Sequence, residues 1–266
     1  MPEQTLTRDP RTADDSTPER SRLSRLLLPG IVVLALVGLT AFFLLGRGDD
    51  GSAAERSGSG QQGQASAPSA DSSQDEVAAY LESLARREEG DPLAVGAVDA
   101  PVVMINYSEY QCPFCGRFAR ETEPELVERY VESGDLRIEW RDFPYLGPES
   151  QTAAQAGRAA AEQDGFWEFT EAMFADQQPP NSGRLTPEFL ADVAEGVGLD
   201  REQFLADLES PELAEAVEAD FQQGQSIGVT GTPAFLINGR PVIGAQPTEV
   251  FVETIEEALA EAEAGR

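Results

Sequence analysis

The chain has no histidine, no lysine and only two cysteines among its 266 residues. Two thiols could form half of a zinc site. Zinc takes about four ligands, however, and here there is neither an imidazole nor a third thiol to complete the set. A lipid-modified cysteine anchor is excluded as well, because neither cysteine lies near the apolar stretch at residues 26–45. Positive charge is scarce. Arginine carries all of it, 19 residues against 48 acids, for a formal net charge of −29. Residues 1–47 hold 6 arginines and 5 acids, so the acid excess belongs to the remainder. Such a surface repels phosphate backbones, which argues against nucleic acid as a partner. It suits solubility instead.

Leu26 to Leu45 is uncharged and mostly apolar, and about 20 such positions suffice to span a bilayer. Arg20, Arg22 and Arg25 precede it, whereas Asp49 and Asp50 follow the single Arg47. The positive-inside rule then places the N-terminus in the cytoplasm and residues 46–266 outside. A cleaved signal peptide is the rival reading. Its apolar region is usually shorter, about 7–15 residues, and Asp50 to Ala54 offers small residues without a clear cleavage pattern. The expectation is a single-pass cell-membrane protein with an uncleaved anchor. Residues 1–22 would be a cytoplasmic tail, 23–46 the transmembrane helix, and 47–74 a Gly/Ser/Ala/Gln-rich flexible linker. As a random coil that linker reaches on the order of 30 Å.

The two cysteines sit in Glu109-Tyr110-Gln111-Cys112-Pro113-Phe114-Cys115-Gly116. The apolar run Val102–Tyr107 before them reads as a buried strand. Pro113 suits the first turn of a helix that continues through Arg117-Phe118-Ala119-Arg120. Residues i and i+3 share a helix face, compatible with the short Cα separation of a disulfide. The unpaired N–H groups and the dipole at a helix start favour a thiolate at Cys112. Cys112 is then the attacking thiol and Cys115 the resolving one. A purely structural disulfide remains an alternative, although so small a loop adds little stability.

Along the rest of the chain, residues 75–89 have helical spacing through Val77, Tyr80, Leu81 and Leu84. That helix would pack on the domain or self-associate. The globular domain is expected over 90–266. Leu93–Gly96 suggests a short edge strand, and Leu136–Phe143 alternates like a half-buried strand. A helical insertion follows over about 149–228. It includes the aromatic Phe166-Trp167-Glu168-Phe169 segment, read as core, and a helix opening at Thr186-Pro187. Ala234–Ile237 and Arg240–Ile243, joined by Asn238-Gly239, form a strong hairpin signal. Pro247-Thr248 opens a last amphipathic helix.

Gly96-x-x-Asp99-Ala100-Pro101-Val102 and the CPFC motif with its flanks resemble the DsbA-like thiol:disulfide oxidoreductases. So do Phe166-Trp167-Glu168-Phe169 and Val229-Thr230-Gly231-Thr232-Pro233-Ala234-Phe235. The resemblance covers about residues 90–264. It implies an α/β, thioredoxin-like fold with an inserted α-helical subdomain, here preceded by the transmembrane helix and linker. It also implies a cis Thr232–Pro233 bond facing the cysteines, where client backbone pairs. An ordinary trans turn is the plain alternative.

The resemblance further implies extracytoplasmic disulfide donation to reduced secreted proteins, without a cofactor. Reoxidation would come from a quinone-linked membrane protein of the DsbB or vitamin-K-epoxide-reductase type. Two positions depart from the family pattern. Phe114 stands where several members carry histidine before the second cysteine. Asn106 stands where some place a buried proton-transferring acid, leaving Glu109 as the nearer candidate. A reductase or isomerase using the same pair, and a client-binding module without turnover, are the competing functions.

Overall fold

The protein is described by a computed structural model over residues 70–265; the expected tail, anchor and nearly all of the linker lie outside the described residues. Among the described residues no helix is long and apolar enough to cross a membrane.

At the centre is β2, Val102–Ser108, whose seven residues are all buried. A strand buried along its whole length belongs in mid-sheet with helices on both faces. On one side β2 pairs in parallel with β3, Leu136–Asp142, and β3 pairs antiparallel with the two-residue β1, Ala94–Val95. On the other side β4, Ala234–Ile237, runs antiparallel to β2, and β5, Arg240–Ile243, completes the order β1-β3-β2-β4-β5. Asn238 and Gly239 between β4 and β5 have φ of 42° and 79°. Two positive φ values make a turn whose twist matches a hairpin. The Asn238 side chain also accepts from Val103 N at 2.8 Å and donates to Pro101 O at 3.0 Å, locking the turn to β2.

The helices fall in order as α1 (Ala70–Glu82), α2 (Pro113–Glu121), the short α3 (Glu123–Leu126) with a π-helical turn after it, α4 (Pro148–Ala161), α5 (Phe166–Ala175), α6 (Pro187–Gly196), α7 (Arg201–Leu208), α8 (Pro211–Ser226) and α9 (Thr248–Ala264). Thr186, Asp200 and Ser210 cap α6, α7 and α8, each side chain accepting an N–H three residues on. One sheet face packs Met104, Ile138 and Phe235 against Phe118 of α2 and Phe251 and Ile255 of α9. The other packs Ile105, Tyr107 and Leu236 against Leu81 and Phe221. The insertion has its own core of alanines from α4 with Phe166, Phe169, Phe174 and Phe204, into which Tyr110, Cys112 and Cys115 also pack. Gly157 in α4 lies against the Tyr110 hydroxyl, and a Cβ there would collide with it.

Two expectations change. β3 is not half-buried; all seven residues are enclosed. Its polar face is satisfied by ion pairing. Glu139 accepts from Arg137 at 3.1 Å and Arg141 at 2.9 Å, and from the backbone N–H groups of Arg86 and Arg87, both at 2.8 Å. The same bonds explain the second difference. The helix expected over 75–89 runs Ala70–Glu82 and ends earlier. Ser83, Leu84 and Ala85 still bond back to the preceding turn, but Arg86 and Arg87 give their N–H groups to a buried carboxylate instead, and Arg87 takes a φ of 45°.

Candidate active site

Cys112 is the N-cap of α2, and Pro113 occupies its first turn. The first N–H groups of a helix have no intrahelical acceptor, so they converge on whatever side chain stands at the cap. Cys115 lies one turn further in. Both cysteines are free thiols, 3% and 1% exposed. The Cys115 thiol donating to Cys112 lowers the Cys112 pKa to about 6. Burial opposes this, and the Thr232 hydroxyl and the N–H groups of Cys115 and Phe114 assist it. Burial, and then the neighbouring Cys112, push Cys115 well above its usual value. One sulfur is thus held as a thiolate at neutral pH and the other as a thiol.

The loop before β4 closes over the pair. Thr232–Pro233 is a cis peptide bond, and the Cys112 thiol donates to Thr232 O at 3.2 Å. The Thr232 hydroxyl is buried beside the two sulfurs, where it favours the ionised Cys112.

Glu109 is buried beside the cysteines. The Ser150 hydroxyl of α4 donates to one of its carboxyl oxygens, and Gln111 donates to Ser150 in turn at 2.7 Å. The other oxygen has no partner among the described residues. Burial raises the carboxyl to about 7, partly offset by Ser150 and reinforced by the Cys112 charge. Asn106 is buried, its Oδ1 likewise unpartnered. Arg117 and Arg120 are occupied elsewhere. Arg117 donates to Ala245 O at 2.5 Å and lies over the Phe114 ring; Arg120 donates to Phe174 O at 2.5 Å. Neutral donors, not cations, set the Cys112 pKa.

Several neighbours of the site carry no signal in the sequence. Gln177, after α5, donates to both Tyr110 O and Cys112 O at 2.8 Å and fixes the approach to the motif. Ser150 and Tyr145 come from segments far away in the chain, and only the fold brings them here. Phe114, Tyr145 and Ile243 are 56%, 41% and 64% exposed. Phe114 follows Cys112, Tyr145 adjoins Thr232, and Ile243 pairs with Ala234 just after the cis proline. Three exposed apolar residues thus flank the motif and the cis-proline loop, with no single stretch of sequence to announce them.

The thioredoxin family profile matches residues 88–257. The chain belongs to this family. It is 31% identical over 150 residues to a probable disulfide bond formation protein D of Bacillus anthracis, covering 55% of this chain and 69% of that one. A crystal structure of oxidised BdbD from Bacillus subtilis superposes with a TM-score of 0.60 at 27% identity, over 65% of this chain and 94% of that one. The Na⁺/H⁺ antiporter NhaA 3 of Salinispora tropica is 33% identical over 169 residues, 63% of this chain. The match spans only 24% of the antiporter, about a quarter of its length. With a DsbA-like fold and relatives named for disulfide formation, this thioredoxin-family chain is a protein thiol:disulfide oxidoreductase.

Proposed function

We propose that the protein is an extracytoplasmic thiol oxidase that donates the Cys112–Cys115 disulfide to reduced secreted or membrane proteins. A client thiolate attacks Cys112 Sγ, the intramolecular S–S bond breaks, and Cys115 leaves as a thiolate that takes up a proton. The client's second thiolate then attacks its own sulfur in the mixed disulfide, and Cys112 leaves with the electron pair. Two electrons pass to the protein and the client gains one disulfide. The exposed apolar residues Phe114, Tyr145 and Ile243 suit unfolded polypeptide, and the loop at Thr232-Pro233 lies where client backbone would reach Cys112.

The observation that carries this reading is the placement of Cys112 at the N-cap of α2 against the cis Thr232–Pro233 loop, where the Cys115 thiol and other neutral donors lower its pKa to about 6. A stable thiolate is a good leaving group and favours the reduced protein. By itself that pKa contributes at most about 30 mV at pH 7, since 30 mV corresponds to about 1.4 kcal/mol for two electrons. Cys115 is a neutral thiol at pH 7 with or without burial, so its raised pKa adds nothing to this, and the potential of the pair is the direct test. Equilibration of the full chain with glutathione buffers is expected to give a value nearer about −120 mV, typical of strong oxidases, than about −270 mV, as in thioredoxin. A value at the lower end would make the protein a reductase.

Glu109 is the group proposed to exchange the proton with the buried pair, since a carboxyl near 7 is poised for transfer at neutral pH. Glu109→Gln is expected to slow disulfide exchange at least about tenfold at pH 7 and to remove the inflection near that pH. Because the Cys112 charge raises Glu109, Cys112→Ser should in turn lower the pH at which Glu109 titrates. An unchanged pH profile in Glu109→Gln would assign Glu109 to packing alone. Reoxidation is assigned to a quinone-linked membrane protein of the DsbB or vitamin-K-epoxide-reductase type. The expected anchor at 23–46 would hold both in one bilayer and raise their effective concentration.

A further inference from the structure

The C-terminal part of α2, α3 with its π-helical turn, α5 and Val95 of the edge strand β1 enclose a cavity of about 570 Å³. Five glutamates line it, Glu123, Glu128, Glu132, Glu168 and Glu171. None of the five has an ion-pair partner among the described residues. The only arginine in the lining, Arg120, is spent on Phe174 O. Two polar atoms in the lining are buried and unpartnered, Glu123 Oε1 and the indole Nε1 of Trp167. Native proteins satisfy nearly all such atoms. Burial without any counter-charge holds the Glu123 carboxyl up at about 7. The cavity thus presents an acceptor, a donor and an aromatic face, all waiting for complementary groups, inside a strongly negative wall.

That set selects its occupant. Among the described residues no three carboxylates or thiols are grouped as a metal ion would require. A planar guanidinium stacks on indole and bonds a carboxylate sideways, which an ammonium does less well. A guanidinium cannot accept the Trp167 N–H, but the carbonyl of a peptide that carries it can. We propose that this cavity is a subsite for an arginine side chain of the client polypeptide, with the guanidinium against Glu123 and Trp167. The proposal rests on the client reading above. It adds that clients with a basic residue at a set distance from the reacting cysteine are favoured. The nine residues of α2 make it about 14 Å long at 1.5 Å per residue, and Glu123 opens α3 just past its C-terminal end. About five extended residues span that distance.

The test uses the oxidised full chain and two peptides, each with one cysteine and, five residues away, either arginine or its neutral isostere citrulline. The arginine peptide is expected to form the mixed disulfide about tenfold faster, a ratio equivalent to one good cation–π and carboxylate contact. In Glu123→Gln the ratio should fall to about twofold or less. Glu257→Gln, which removes an exposed charge on α9, should leave the ratio unchanged and so separate the cavity from the overall negative charge. Equal rates for the two peptides, or an equal fall in both variants, would overturn the subsite. Cysteine→serine forms of both peptides, followed by tryptophan fluorescence, read the same preference without chemistry. Exchange with the citrulline peptide reports on the oxidoreductase reading separately. If the arginine preference in binding is present while neither peptide exchanges, the occupant is not a client and the proposal fails in that form.

Discussion

Cys112→Ser is expected to reduce thiol–disulfide exchange about a thousandfold or more, to the uncatalysed background. The reason is specific to this arrangement. Cys115 is enclosed and held as a thiol by burial, so it cannot take over the attack. Cys115→Ser has the opposite signature. The Cys112 thiolate can still attack the disulfide of an oxidised client, one client sulfur leaving as a thiolate, but nothing inside the protein can then release the client captured there. Mixed disulfides at Cys112 should accumulate and be visible as a mass shift on non-reducing gels. Cys115→Ala, which removes the donor altogether, should also raise the Cys112 pKa from about 6, because that contact is the largest cause of its depression. A client-binding module without turnover predicts something different, with Cys112→Ser retaining full activity in a binding assay and no exchange in the parent.

Glu139→Leu is the largest expected effect on stability. The carboxylate is fully enclosed and receives four donors, two guanidinium groups and two backbone N–H groups. Removing it leaves Arg137 and Arg141 buried without their partner and strands the Arg86 and Arg87 amides. Breaking a buried pair in this way costs about 3–5 kcal/mol, which for a domain of this size lowers the melting temperature by about 10 °C. Scanning calorimetry checks it, and a loss below about 1 kcal/mol would show that water or rearrangement replaces the carboxylate.

The pH dependence follows with a definite sign. Burial raises the Glu139 carboxyl, but the Arg86 and Arg87 amides and Arg141 outweigh it and hold the group at about 2. The folded value lies below an unfolded value of about 4.3. Its stabilisation is therefore complete above that value and disappears as the pH falls toward 2. The variant should lack this part of the acid transition.

The fold and the chemistry were unequally legible in the sequence. Strand β2, the CPFC turn, the insertion helices and the Asn-Gly hairpin all rest on local signals of spacing, capping and turn chemistry, and a single segment contains each of them. The pair Cys112 and Cys115 is legible for the same reason: attack and resolution need only a helix start and an i, i+3 separation. The N-terminal segments were equally plain in composition, and they remain expectations outside the described residues. Charged residues misled where pairing was distant. Arg137, Glu139 and Arg141 read as a solvated strand face because nothing local shows that the segment after α1 will fold over them.

The sequence by itself thus determined the order of elements, the family and the two sulfurs. Only the tertiary structure decided the environment that gives those sulfurs different roles. Thr232 reaches Cys112 from 120 residues away, Ser150 tunes Glu109 from α4, and Gln177 anchors the motif from beyond α5. The cavity at Glu123 and Trp167 exists only where α2, α3, α5 and the edge strand meet. Periodicity and turn preference act over a few residues and leave a trace in the chain. Desolvation and hydrogen-bond satisfaction act through space, and they leave none until the chain has folded.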